Sequence, residues 1–265
     1  MIRQYLLQFA RAKPVGDDAL PPAALRAVAI WLVLGHTVPA TAAERELYVV
    51  AGQSNAEGRV RTPVGLAQCP ASSKVYRWRA GGWETGRDPW PGPWQGPILE
   101  FGHCLSDRRP QATIGIVSVT KGGTSIDQWQ RGTDLYSQLI SQSRAALLDG
   151  GAQLRGIVWY QGESDAATLA SALAWPGKFV QLVRDVRQDL QTDAAFVMTV
   201  VGPNPKRADF PAWDQLVAAQ TQMALPEGVD RVSANDLSGQ NADAIHLDEA
   251  SLFTLAGRWA AAVSR

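Results

Sequence analysis

Cysteine is nearly absent from this chain, with two in 265 residues. Two cysteines cannot alone form a multi-ligand zinc cluster, and they are too few for a disulfide scaffold. Histidine is also scarce: His36, His103 and His246 are the whole set. Charge of one sign is lacking. Lys+Arg and Asp+Glu both number 25, so the formal net charge is zero. That speaks against a broadly basic nucleic-acid-binding surface, and no nucleic acid partner is expected. No apolar run approaches the roughly 20 residues of a membrane-spanning helix. No internal repeat appears, and no linker divides the chain after Glu44. What is present is globular: 46% hydrophobic and 19% charged residues exclude a disordered chain. The length is ample for a proper core.

The N-terminus reads as an export leader. The short apolar run Ala27 to Gly35 follows Arg26 and precedes small residues ending Pro39-Ala40-Thr41-Ala42-Ala43. Charge, apolar core and an A-x-A site (Ala40, Ala42), in that order, make a secretory signal. Residues 1–43 are therefore read as a leader with a signal peptide, and 44–265 as one domain. The product is expected to be periplasmic or secreted, without stable membrane insertion after cleavage. The segment before Arg26 is long for a charged n-region, which fits a start codon further downstream. A buried N-terminal helix is the structural alternative. The leader carries Arg3, Arg11, Lys13 and Arg26 against Asp17 and Asp18, leaving the remainder slightly negative. Export permits a Cys69–Cys104 disulfide; two buried free thiols fit the sequence equally.

The body reads as α/β. Leu47 to Ala51, Ile114 to Val119, Ile157 to Tyr160 and Phe196 to Val201 are β-branched, non-alternating apolar runs. Such runs suit parallel strands covered on both faces. Helical patterns lie between and after them, at Leu135–Leu148, Phe179–Leu190 and Leu252–Val263. Strand–helix alternation predicts an open, mostly parallel sheet. The Gly/Pro/Trp-rich stretch Gly81 to Pro97 reads as a long loop.

In such sheets, sites form beyond the carboxyl ends of the strands. The first run ends in Gly52-Gln53-Ser54-Asn55-Ala56-Glu57-Gly58. The second ends in Lys121-Gly122-Gly123-Thr124-Ser125-Ile126, and the third in Gln161-Gly162-Glu163-Ser164-Asp165. A fourth cluster, Asp243-Ala244-Ile245-His246, precedes the last helix. His103 sits in apolar context and reads as structural. His246 alone stands three residues after an acid. A Ser nucleophile needs a base, and the base needs an acid to hold its tautomer. Ser54, His246 and Asp243 supply that set. An acyl-transfer intermediate also needs oxyanion donors. The Ser54 and Gly123 N–H groups and the Gln161 amide stand at strand ends. Each piece alone has an ordinary explanation: a helix cap for Ser54 or Asp243, a turn for the glycines. Four clusters in sequence are harder to obtain by chance. No G-x-S-x-G surrounds Ser54, so the α/β-hydrolase elbow is absent.

The quartet resembles the SGNH (GDSL-like) hydrolase superfamily, in its sialate O-acetylesterase-like branch, which includes family 6 carbohydrate esterases and acetylxylan esterases. The matching residues are Gly52-Gln53-Ser54-Asn55, Gly122-Gly123-Thr124-Ser125-Ile126 with Trp129, Trp159-Tyr160-Gln161-Gly162-Glu163-Ser164-Asp165, and Asp243 with His246. Gly96-Pro97 with Phe101, and Arg155-Gly156-Ile157, also fit. The resemblance spans about residues 45 to 260. It implies a three-layer α/β/α sandwich around a parallel sheet of about five strands. It implies hydrolysis of O-acetyl esters on carbohydrate, with no cofactor and no metal. Carried over, Ser54 is the nucleophile, His246 the base and Asp243 its orienter, with Gly123 and Gln161 completing the oxyanion hole. Asn55 and Glu163 count as supporting residues. Glu163 stands two residues beyond Gln161, on the same side of an extended backbone, where it would steady the His or its loop. This chain departs at Ala56, where many relatives carry Met, a change expected at the pocket wall. Gln161 stands where the wider superfamily has Asn.

Ten Trp against 5 Tyr and 6 Phe is an unusual excess. Trp83, Trp90, Trp94 and Trp129 either stack on sugar or fill a core beneath the loop, and core is the commoner use. Arg87 and Asp88 either contact sugar hydroxyls or solvate the loop. The expected partner is an acetylated carbohydrate, of acetylxylan or O-acetyl sialic acid type. Competing readings are another small-acyl esterase, a lipase or thioesterase, a peptidoglycan O-acetylesterase, and a carbohydrate-binding module without turnover.

Overall fold

The structure, a computed structural model, describes residues 45–61, 69–90, 93–149 and 151–265. The leader read at 1–43, His36 included, lies outside the described residues. Seven strands form one sheet: β1 (Arg45–Gly52), β2 (Val75–Arg79), β3 (Gly82–Thr85), β4 (Thr113–Thr120), β5 (Gln153–Tyr160), β6 (Ala195–Val200) and β7 (Val229–Ser233). Their order is β3-β2-β4-β1-β5-β6-β7. All neighbours run parallel except β2 and β3. The α/β class is borne out; the strand count is corrected. The parallel part has six strands rather than about five, and β3 lies inside the stretch read as a loop.

β1 holds the centre because it has little choice. Leu47 to Ala51 are fully buried, so both faces of the strand need cover. Six helices provide it: α1 (Ser54–Glu57), α2 (Pro97–Arg108), α3 (Asp134–Leu148), α4 (Leu169–Leu190), α5 (Trp213–Gln222) and α6 (Glu249–Val263). Successive residues of β5 point to opposite faces. Tyr160 packs edge-on against Trp259 of α6, while Trp159 meets Trp129 beneath the other face. Phe101 of α2 contacts both Tyr48 and Trp259, so α2 and α6 share the first face. Phe179 of α4 packs on Phe196 of β6 on the other.

Trp90 and Trp129 are core residues, 2% and 0% exposed. Trp83 packs edge-on against Trp78. Ala56 is fully buried, so the expectation that it shapes a pocket wall is corrected: its methyl packs into the core. His103 lies half-buried in α2, 4.0 Å from Glu100. Burial lowers its pKa.

Cys69 and Cys104 are bridged, which settles the open alternative. The bridge ties the segment before β2 to α2 across 35 residues of sequence. A loop of that size is worth about 2–4 kcal/mol. Replacing both cysteines by Ala is expected to lower unfolding stability by that amount in urea titration. The rate of ester hydrolysis should not change, because neither residue lines the cleft described below.

Candidate active site

The chain runs from β1 to β4 on one side of it, then crosses to β5 on the other. That reversal opens a crevice at the carboxyl ends of β4, β1 and β5. The ladder aligns Gly52 with Thr120 on one side and Tyr160 on the other, so the three strands end level. Gly52 has φ of +140°, and an added Cβ would stand 2.0 Å from the Tyr160 carbonyl oxygen. Only glycine fits there. Gln53 N–H then donates to that same oxygen at 2.9 Å, and α1 begins at Ser54. This tight exit sets Ser54 at the mouth of the crevice, 6% exposed.

His246 arrives from the opposite direction, in the loop before α6. Its Nε2 lies 2.8 Å from Ser54 Oγ, and its Nδ1 lies 2.5 Å from Asp243 Oδ2. Asp243 Oδ1 accepts the N–H groups of Ile245 and His246 at 3.1 and 3.0 Å. Burial pushes the Asp243 carboxyl up, but hydrogen bonds from the His246 ring and these N–H groups outweigh it, leaving the pKa lowered. The turn is tight enough to put Ala244 at φ of +61°. Asp248, not Asp243, caps α6, accepting from Ser251 N–H at 2.9 Å. Asp243 is thus left to the imidazole.

Asn55 fixes this loop to the sheet. Its Nδ2 donates to Ile245 O at 3.2 Å and to Glu163 Oε1 at 2.7 Å, and its Oδ1 accepts Leu247 N–H at 3.0 Å. Those bonds grip the chain on both sides of His246. Glu163 is 1% exposed. Burial raises its pKa to about 7, against the opposing hydrogen bond from Asn55.

A cleft of about 590 Å³ opens over Ser54 and His246. Gln53, Gly122, Gly123, Lys121, Arg59 and Arg207 are among its lining residues. Gly123 has φ of +72°, a conformation that favours glycine. Neither the Ser54 nor the Gly123 N–H has a hydrogen-bond partner among the described residues. Gln161 is different, and the expectation that its amide donates into the cleft is corrected. It is fully buried, away from the lining. Its Nε2 faces Thr124 O at 2.8 Å and Asp165 Oδ2 at 2.6 Å, and its Oε1 accepts from Trp175 Nε1 at 2.9 Å. Arg87 and Asp88 do not line the cleft either.

Three cleft cations had no role in the sequence reading. Lys121 was visible at the strand end, and its position one residue beyond β4 was the usable signal. Arg59 and Arg207 lie in irregular segments, where charge alone does not distinguish a binding residue from a solvated one. Arg59 pairs with Glu57 at 2.6 Å and Arg207 with Asp209 at 2.5 Å. Lys121 makes no ion pair among the described residues.

Comparison with known proteins meets this geometry. Residues 44–265 match the family model described as carbohydrate esterase, sialic acid-specific acetylesterase. The chain belongs to that family. A probable carbohydrate esterase of Arabidopsis thaliana is 26% identical over 177 residues, which is 58% of this chain and 68% of the relative. The X-ray structure of an Arabidopsis thaliana protein superimposes with a TM-score of 0.75 at 24% identity, covering 83% of this chain and 98% of that one. A carbohydrate acetylesterase from Xanthomonas citri gives a TM-score of 0.60 at 20% identity, covering 82% of this chain and 55% of that one. NanS gives 0.64 at 18%, covering 84% and 97%. These structures share the fold. Family membership bears out the SGNH-like resemblance and makes the protein a carbohydrate esterase, a carboxylic ester hydrolase. Among the described residues, no helix is long and apolar enough to cross a membrane.

Proposed function

We propose that this protein is a serine esterase that removes O-acetyl groups from carbohydrate through an acetyl-enzyme. The observation that carries the reading is the hydrogen-bonded line from Ser54 Oγ through the His246 ring to Asp243 at the floor of an open cleft. Ser54 Oγ attacks the acetyl carbonyl carbon as His246 Nε2 takes the hydroxyl proton. Asp243 holds the ring and stabilises the imidazolium. The carbonyl oxygen becomes an oxyanion that the unpartnered N–H groups of Ser54 and Gly123 can receive. Collapse breaks the ester bond, and the sugar oxygen leaves with the proton from His246. Water, deprotonated by the same imidazole, then releases acetate and restores Ser54.

The cleft chemistry favours one of the two substrate types. Arg59, Lys121 and Arg207 surround the reacting groups, and the carboxylates nearby are already engaged. Such a rim suits an acetylated sugar bearing a carboxylate, of the O-acetyl sialic acid type, over neutral acetylxylan. A neighbouring hollow of about 420 Å³ shares Arg59 with the cleft, is lined by Asp243, and is bordered by Arg61, whose guanidinium lies 4.9 Å over Trp94. It gives a longer saccharide room beside the reacting sugar.

The test is acetate release by the purified protein from O-acetylated sialic acid and from acetylated xylan. The anionic sugar should be hydrolysed with the higher kcat/KM; xylan doing as well would remove the role given to the cations. Lys121→Ala should raise KM for the anionic substrate about threefold to fivefold, the range of an exposed charge pair. It should leave hydrolysis of a neutral acetyl ester unchanged.

A further inference from the structure

With Gln161 committed elsewhere, the oxyanion site described so far has two donors, both main-chain. The side-chain amide that borders the cleft is Gln53, the residue before the nucleophile. Its oxygen is held by main-chain donors. Gly162 N–H donates to Oε1 at 3.2 Å and Ser164 N–H at 3.5 Å, and Gln161 Nε2, whose closer acceptors are Thr124 and Asp165, stands 3.3 Å away. This settles which end of the amide is which, because a reversed amide would set its own N–H groups against two main-chain donors. The Nε2 is thereby turned the other way. Its single contact there is Ser164 Oγ at 3.5 Å, another cleft-lining atom and the outer limit of a hydrogen bond.

Gln53 therefore carries at least one uncommitted N–H, on a side chain only 2% exposed. A buried donor without a good acceptor costs about 1–3 kcal/mol. Such a group is retained at little advantage unless something binds it. Here the cleft supplies the something: an ester carbonyl that Ser54 attacks.

We propose that Gln53 Nε2–H is the third oxyanion donor and that the Gly162 and Ser164 N–H groups position it by holding Gln53 Oε1. The proposal rests on the serine-esterase reading above. It reassigns the side-chain contribution from the strand-end residue Gln161 to the residue preceding the nucleophile. The donor is pre-aimed by neighbours that do not move during reaction, which is the condition under which such dipoles accelerate chemistry.

Two variants isolate the N–H. Gln53→Glu keeps an acceptor for Gly162, Ser164 and Gln161 but has no amide donor. Gln53→Met has no donor and adds no charge. The feature both lack is the N–H. Each is expected to lower kcat about 100-fold with KM within about twofold, the loss seen when one oxyanion donor is removed. Affinity for methylboronic acid, whose serine adduct carries a tetrahedral oxyanion, should fall by a similar factor, since it mimics the transition state. A merely structural Gln53 would not link those two losses. Unfolding midpoints of both variants, measured alongside, separate a loss of stability from the loss of the donor. Either variant retaining kcat within threefold of wild type would overturn the assignment. Ser54→Ala, assayed alongside, separates the two readings: if it stays active, the serine mechanism itself is wrong, and if it is inactive while Gln53→Glu is not, only the third donor is lost.

Discussion

Ser54→Ala is expected to lower kcat for acetate release by about 10⁴- to 10⁶-fold. The size follows from the geometry. Ser54 Oγ lies 2.8 Å from His246 Nε2, and no other hydroxyl contacts that ring among the described residues. Without it the imidazole has no protein nucleophile to activate, and no acetyl-enzyme can form. The fold should not suffer, because the hydroxyl's one partner among the described residues is the imidazole and the main-chain turn around Ser54 is built by Gly52 and Gln53. Substrate affinity should also survive, since Arg59, Lys121 and Arg207 are untouched. His246→Ala should cost nearly as much, and the double variant little more than either single. Residues that act as one unit are grossly non-additive. Single-turnover acetate release with each variant checks this. A Ser54→Ala protein within tenfold of wild type would end the serine mechanism.

The legible parts of this protein were those where one physical demand dominates. β1, β4, β5 and β6 announce themselves because both of their faces are buried and the sequence cannot afford polar residues there. β2 and β7 do not, since Val75–Arg79 and Val229–Ser233 carry Arg77, Asp230 and Arg231. Arg77 is buried all the same, because Glu84 and the Arg87 and Pro89 carbonyls receive its guanidinium. Partners seven to twelve residues away in sequence, on another strand or loop, are not a pattern that periodicity detects. α4 begins at Leu169, ten residues before the predicted start, with Pro176 inside it. Pro-Gly normally reads as a break, yet the helix runs through it, with Trp175 stacked on Phe179 one turn on and Phe179 packed on Phe196 of β6. In the site, residue type was legible and direction was not. Gln53 and Gln161 are both amides at strand ends. Which one borders the cleft depends on Thr124, Asp165 and Trp175, and no local spacing encodes those contacts.

Asn55→Ala tests whether the loop carrying His246 is held from the sheet, and it should cost stability and catalysis together. Truncation leaves the Glu163 carboxyl, the Ile245 carbonyl and the Leu247 N–H without their present partner. At about 1–3 kcal/mol for each buried unsatisfied group, a loss of about 3–5 kcal/mol is expected once water recovers part of it. Catalysis should suffer separately. A misplacement of about 1 Å at a catalytic group costs on the order of 100-fold, so kcat should fall by about 10²-fold at temperatures where the variant is still folded. Glu163→Ala should follow the same direction by freeing Asn55 Nδ2. Glu163→Gln gives the complementary readout, because it keeps an oxygen for Asn55 and removes the titration. Burial raises the Glu163 pKa to about 7 in the folded protein, above its ordinary value of 4.5. The folded state thus favours the neutral acid. Its contribution to stability is fully present below about pH 4.5 and is lost as pH rises through about 7. Asp165 and Asp88, both raised by burial to about 6, act in the same direction over a lower window. The wild-type unfolding midpoint should therefore decline between pH 6 and pH 8 more steeply than that of Glu163→Gln, where only the last part of the Asp165 and Asp88 titrations remains. Parallel curves across that interval would mean that Glu163 is already ionised in the folded protein, and that Asn55 is held by a charged partner.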